Sequence, residues 1–283
     1  MVQQLQLRKF DMSSISFDKI VVLIGKRDTG KSFLVKDLLY HHRDLPIGTV
    51  ISSTESANCF FGNMVPPIFI HEKYTPNLVT NVVKRQKVIK STIDREERRT
   101  GGCSKIDPRA FFIMDDCMHD ANTWIKDDNI RLIFMNGRHY KLMYLLTMQH
   151  PLGIPPSLRT QIDYVFILRE NLYNNRKKIY DNYAGMFPSF EFFCQVMDHC
   201  TENYECLVIN NNAKSNRIED QVFWYKAEAH PNFRMGAREF WAISDRLMAQ
   251  QDEEDDLEGD TMFDASSFKQ RRNSPSVSIR KKQ

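Results

Sequence analysis

Eight residues near the start of the chain, Gly25-Lys-Arg-Asp-Thr29-Gly30-Lys31-Ser32, follow the spacing GxxxxGK[ST]. Glycines at those positions let a backbone wrap closely around phosphate oxygens. The N–H groups of the loop, with those of a following helix N-terminus, make an anion nest. A lysine next to it neutralises β- and γ-phosphates, and the adjoining hydroxyl holds Mg²⁺. Gly25, Thr29, Gly30, Lys31 and Ser32 are therefore the predicted nucleotide-binding residues, with a nucleoside triphosphate and Mg²⁺ as the expected ligands. A second acidic group, Asp115-Asp116, lies 84 residues after Lys31 and closes the apolar run Phe111–Met114. Carboxylates at the C-terminal edge of a parallel sheet sit where ligands bind. Asp115 is expected to bind Mg²⁺, directly or through water, and Asp116 to act as general base on the attacking water. Gln149 ends the apolar run Leu142–Met148 and is expected to sense the γ-phosphate or orient water.

These groups need elements to position them. Lys19-Ile-Val-Val-Leu-Ile24 is a continuous β-branched run of the kind buried on both faces in a parallel sheet. The glycine loop follows it, and Ser32–His42 then carries apolar residues at helical spacing. Gly48–Ser53, Ala110–Met114, Lys141–Met148 and Tyr164–Leu168 read as further strands. Leu78–Arg99 and Asp127–Asn136 read as helices, the first stopped by Gly101-Gly102. Residues 54–77, rich in Pro, Asn and aromatics, read mostly as loop. Strands alternating with helices at this rhythm predict βαβ units and a mainly parallel sheet. Leu207–Ile209 and Gln221–Lys226 are expected to pair as a hairpin across Asn210–Asn212. The predicted organisation is a lead-in over 1–18, a nucleotide-binding α/β domain over 19–230 with a small C-terminal β/α annex, a helix over 231–250 and a disordered charged tail over 251–283.

Composition narrows the class. The chain has 283 residues, 42% hydrophobic and 27% charged, which excludes collagen-like and wholly disordered chains. No apolar stretch approaches the roughly 18 residues of a membrane span. Residues 1–10 have two basic residues and no apolar centre, so no export signal is expected. None of the six cysteines forms a CxxC pair, which predicts reduced thiols. Cys194, Cys200 and Cys206, with His199 among them, hint at zinc, but at a spacing foreign to the usual structural sites. Net charge is +3, and the body up to Gln251 carries +5 because the tail is acidic first and basic later. That balance is compatible with nucleic acid.

The joint set of motifs resembles the genome-packaging ATPases of the nucleocytoplasmic large DNA viruses, a branch of the FtsK–HerA group of P-loop motors. The carrying segments are Val21–Ser32, Phe111–Asp116, Asn136-Gly-Arg138-His139, Leu146–His150 and Arg159–Phe166. The resemblance runs from about Asp18 to Glu170, and more weakly to Lys226. It implies a RecA-like P-loop fold with an added strand between the phosphate loop and the acidic strand. It also implies a homo-oligomeric ring that moves double-stranded DNA into a preformed capsid, with a capsid protein as a further partner. The host cytoplasm or the viral assembly site is the implied location. The acidic pair is Asp-Asp where many relatives outside the viral branch carry Asp-Glu, so Asp116 must reach water differently. A ring motor also needs an arginine donated across the subunit interface. Arg138 is the first choice, before Arg159 and Arg169.

Translocation without sequence preference needs phosphate contacts rather than base reading. The basic residues between Lys84 and Arg99 and those between Lys269 and Lys282 are the candidate suppliers, although a solvated charged helix is the better account of the first group. Two other readings use the same loop. A small-molecule kinase would need an arginine-rich lid and a substrate pocket; Arg95–Arg109 could be misread as that lid, but it precedes the acidic strand and lacks apolar anchors. A nucleotide-gated assembly scaffold would bind ATP with very slow turnover, against which the intact Asp115, Asp116 and Gln149 argue.

Overall fold

The computed structural model of the chain describes residues 5–117 and 121–258. Among the described residues the chain divides into two units, the first running to Trp241 and the second starting at Ala242. In chain order the elements are β1 (Arg8–Lys9), β2 (Ile20–Ile24), α1 (Lys31–His41), β3 (Gly48–Ser52), α2 (Glu55–Asn58), β4 (Ile70–His71), α3 (Pro76–Thr100), β5 (Ala110–Asp115), α4 (Ala121–Trp124) and α5 (Asp128–Asn136). Then follow β6 (Leu142–Met148), α6 (Pro156–Arg159), β7 (Tyr164–Ile167), α7 (Tyr173–Tyr183), α8 (Phe190–Cys200), β8 (Glu205–Asn210), α9 (Ile218–Gln221), β9 (Val222–Lys226) and α10 (Arg238–Glu258).

The strands form one sheet in the order β1-β9-β8-β7-β2-β6-β5-β3-β4. All neighbours are parallel except where β8 runs antiparallel to β7 and β9. The central strands are apolar throughout because both faces are covered. Ile20, Val22 and Ile24 of β2 enter one core while Val21 and Leu23 enter the other. The same alternation sends Phe112 and Met114 of β5 one way and Phe111 and Ile113 the other. Buried residues of α3, α5, α7 and α8 cover the first face, and Leu34, Val35, Leu38 and Leu39 of α1 cover the second. The mainly parallel α/β class read from the sequence is therefore the observed one. In space β6 lies between the loop-bearing β2 and the acidic β5, which is the added strand that the resemblance implied.

The differences from the sequence reading have local causes. Residues 54–77 hold α2, a 3₁₀ turn at Pro67–Phe69 and the edge strand β4 as well as loop. The Glu55 carboxylate organises the start of this stretch by accepting the Phe61 and Gly62 N–H groups at 3.0 and 2.7 Å. β8 and β9 pair antiparallel as expected, but eleven residues that include α9 connect them rather than a tight asparagine turn. The lead-in contributes β1 at the sheet edge, and the Phe10 ring packs edge-on against Tyr164, Phe166 and Phe223. The last helix starts at Arg238, not at 231. Before it, the Met235, Gly236 and Ala237 N–H groups bond the carbonyls of Met64, Leu45 and Pro46, and Gly236 takes φ +81. The helix also continues through the acidic run to Glu258, into the start of the segment expected to be disordered. The rest of that expected tail, 259–283, lies outside the described residues. No described helix is long and apolar enough to cross a membrane.

Gly48 opens β3 directly against the buried Phe111 ring. A Cβ at this position would lie 2.2 Å from ring carbons. Gly48→Ala is expected to destabilise the chain by about 1–3 kcal/mol, read as a lowered melting temperature. An unchanged melting temperature would contradict this packing.

Candidate active site

Strand register puts the C-terminal ends of β2, β6, β5 and β3 at one edge of the sheet. Ile24 pairs with Met148, Met114 with Leu146, and Ser52 with Asp115. The phosphate-loop sequence leaves β2 at this edge, where the Gly25 N–H bonds the Met148 carbonyl at 3.0 Å. A Cβ on Gly25 would meet Thr29 Oγ1 at 2.8 Å and Leu168 Cβ at 2.9 Å, so only glycine fits. Gly30 caps α1 at φ +96, a conformation that glycine adopts without strain. Thr29 Oγ1 donates to the Lys26 carbonyl at 2.7 Å and closes the loop on itself. The Lys31 ammonium folds back over the loop and donates to the Gly25 and Lys26 carbonyls at 2.5 and 3.0 Å. Burial pushes the Lys31 pKa down, and the nearby Asp116 and Asp115 charges only partly oppose it. Ser32 is exposed on the first turn of α1.

The acidic pair sits across the cleft. Thr147 Oγ1 donates to Asp115 Oδ1 at 2.6 Å and accepts the Asp116 N–H at 3.1 Å. Ser52 Oγ donates to Asp115 Oδ2 at 3.3 Å. Burial pushes the Asp115 carboxyl above its ordinary range; the Thr147 hydrogen bond opposes that shift and the Asp116 charge adds to it. Asp116 takes the left-handed conformation at φ +51, which short polar residues tolerate. Gln149 Nε2 donates to Asp116 Oδ2 at 2.5 Å. Lys31, Ser32, Asp115, Asp116 and Gln149 thus line a single cleft of about 630 Å³, together with Phe33, Phe60 and Tyr204.

Sequence reasoning missed four contributors. Thr147 is wholly buried and joins the two aspartates. Its only sequence signal is a hydroxyl in an otherwise apolar strand. Ser52 marks the end of β3 in the same way. Glu170, only 4% exposed, ion-pairs with Lys26 of the loop at 2.6 Å and also accepts the Leu172 N–H and the Asn175 amide. Tyr204 is 70% exposed and stands over Gly30, with Asn203 and Tyr204 both at positive φ. No local pattern announces either of these contacts.

The arginines fall in different places. Arg138 is exposed in a 3₁₀ turn just before β6. The seven residues of β6 separate it from the cleft edge by roughly 20 Å. It is therefore not brought to this chain's own loop. Arg159 is held by the Ile154 carbonyl and by Asn182, and lies over the Tyr183 ring. Arg169 lies at the cleft edge, beside Asp28, Thr29 and Tyr204. In the Arg95–Arg109 stretch, Arg109 pairs with Asp107 and Asp44 at the opposite end of the sheet and is not placed as a lid over the cleft. Lys84, Lys87, Lys90, Arg95, Arg98 and Arg99 are exposed on α3. Arg85 is not; burial lowers its pKa to about 10.

No protein-family model matches the chain. Uncharacterized protein L437 of Acanthamoeba polyphaga mimivirus is 44% identical over 235 residues, covering 83% of this chain and 81% of that protein. Uncharacterized protein 075L of Invertebrate iridescent virus 6 is 39% identical over 225 residues, covering 77% and 81%. The chain belongs to this family of nucleocytoplasmic large-DNA-virus proteins. The chain shares its fold with the genome packaging NTPase B204 of Sulfolobus turreted icosahedral virus 2, solved in complex with AMP, at a TM-score of 0.50 and 16% identity over 76% of this chain and all of that one. It shares it also with EssC (ATPases 2 and 3) of Geobacillus thermodenitrificans, at 0.51 and 12% over 83% of this chain and 44% of that one.

Glu170 gives the loop a pH dependence. Burial alone would raise its pKa, but the Lys26 ammonium, the Leu172 N–H and the Asn175 amide outweigh burial and leave it lowered. A lowered folded-state value means that the carboxylate stabilises the fold above its ordinary pKa, and that this stability is lost as pH falls through the folded value. Glu170→Gln is expected to lower the melting temperature at neutral pH, with the deficit vanishing in acid. A deficit that persists unchanged in acid would contradict the assignment.

Proposed function

We propose that this chain is an ATP-hydrolysing DNA translocase that packages viral double-stranded DNA into a capsid as a homo-oligomeric ring. The observation that carries the reading is the convergence of Lys31, Ser32, Asp115, Asp116 and Gln149 on one cleft at the C-terminal sheet edge. Family membership among large-DNA-virus proteins, and a fold held in common with a genome packaging NTPase, support the choice of a motor over a kinase or a scaffold.

The loop N–H groups and Lys31 bind the β- and γ-phosphates, with Lys31 exchanging its two loop carbonyls for phosphate oxygens. Asp115 and the Ser32 hydroxyl are hard oxygen donors of the type that Mg²⁺ takes, and the strained ionisation of buried Asp115 fits a neighbouring cation. Mg²⁺, when bound, neutralises charge on the β- and γ-phosphate oxygens. A water oxygen attacks the γ-phosphorus as the bond to the β,γ-bridging oxygen breaks, and ADP leaves with that electron pair. Asp116 takes the water proton. The Gln149 amide holds Asp116 Oδ2 and so fixes the orientation of the short carboxylate. Arg138, far from its own cleft, is assigned a role in trans, on the phosphoryl charge of a neighbouring subunit. The exposed cations of α3 are the proposed phosphate contacts for DNA.

Lys31→Ala is expected to cut ATP turnover by at least about a hundredfold. Asp116→Asn should keep nucleotide binding and lose turnover by a similar factor; preserved turnover would show that Asp116 is not the base. Arg138→Ala should bind ATP without hydrolysing it, and mixing it with Asp116→Asn chains should restore part of the activity. Absence of rescue at every mixing ratio would remove Arg138 from the role.

A further inference from the structure

Past the nucleotide cleft, α1 carries a second set of convergent side chains. Asp37 is wholly buried, a rare state for a carboxylate. Its Oδ2 accepts the Tyr225 hydroxyl at 2.6 Å and the Glu228 N–H at 2.9 Å. Asp37 Oδ1 instead faces two imidazoles, with His230 Nε2 at 2.6 Å and His41 Nε2 at 3.5 Å. The three facing atoms lie within 4.8 Å of one another. Tyr40 stacks on the His230 ring, with centroids 3.8 Å apart and planes 6° apart, and fixes its orientation.

We propose that Asp37, His41 and His230 form a binding site for a zinc-type divalent cation. Two imidazole nitrogens and one carboxylate oxygen are a donor set that zinc takes, with a fourth position open to water. Bonds of the usual zinc length place neighbouring tetrahedral ligands roughly 3.4 Å apart. The His41–Asp37 separation of 3.5 Å matches that spacing and is too long for a strong hydrogen bond. His230 would retreat from Asp37 by under about 1 Å to reach the same geometry. The Tyr225 and Glu228 contacts supply the outer-shell hydrogen bonds that orient a ligating carboxylate. Among the described residues no other group of three His, Cys, Asp or Glu side chains converges in this way, and Cys194, His199, Cys200 and Cys206 do not join one. A cation here would tie the segment 228–230 to the helix whose first residue is Lys31. The site is independent of the nucleotide chemistry proposed above.

The test is a titration of the chelator-stripped full chain with zinc chloride in excess magnesium, read by metal analysis and melting temperature. One zinc per chain and a raised melting temperature are expected. His41→Gln leaves the Asp37–His230 contact in place, so it should fold, weaken zinc binding by at least about tenfold and lose the thermal response. Replacing the exposed Cys59 and Cys103 by Ser should change neither reading. Cobalt(II) should give the visible absorption of a tetrahedral site in the parent chain and not in His41→Gln. No stoichiometric zinc, or an equal response of parent and His41→Gln, would overturn the site and leave a hydrogen-bonded latch.

Discussion

Thr147 Oγ1 accepts the Asp116 N–H and donates to the Asp115 carboxylate, so one buried hydroxyl holds both acidic residues against the strand that separates them from the phosphate loop. Without it, Asp115 would be a buried carboxylate with one weak partner, and Asp116 would lose the anchor of its left-handed backbone. The hydroxyl can do this only because β6 is inserted between β2 and β5 in register, with Thr147 opposite Leu23 of the loop-bearing strand. Gln149 follows two residues later and reaches Asp116. One strand thereby positions three of the polar groups at the cleft.

The site is held under electrostatic tension. Lys31 and Asp115 are both buried enough that desolvation moves each toward its neutral form, and each is opposed by charges of the other sign across the cleft. A ligand carrying phosphate and a cation would relieve both. Outside this pair the loop is braced by conventional means. Glu170 holds Lys26 from the end of β7, and close packing around Gly25 excludes any side chain there.

The parts legible in the sequence were those with local signals. A β-branched run reads as a buried strand whatever it packs against, and Gly25–Ser32 carries its geometry in its own glycines. Asp115, Asp116 and Gln149 were legible because each ends an apolar run, and the parallel register then brings those ends together. Thr147, Ser52 and Glu170 were not, because their roles depend on which strands become neighbours. Residues 54–77 have no periodicity because Glu55 side-chain bonds and short turns organise them. The start of α10 is set by backbone bonds to residues 45–64, which no window along the sequence contains. Arg138 was chosen for its place before β6, and that place puts it at the far end of the strand from the cleft.

The central claim is that this cleft drives movement along DNA. Its most direct test is steady-state ATP hydrolysis by the purified chain, with and without long double-stranded DNA, at low and moderate salt. Clear stimulation by DNA of any sequence is expected, weakening as salt rises because the contacts are to phosphate. Hydrolysis indifferent to DNA at every salt concentration would contradict it.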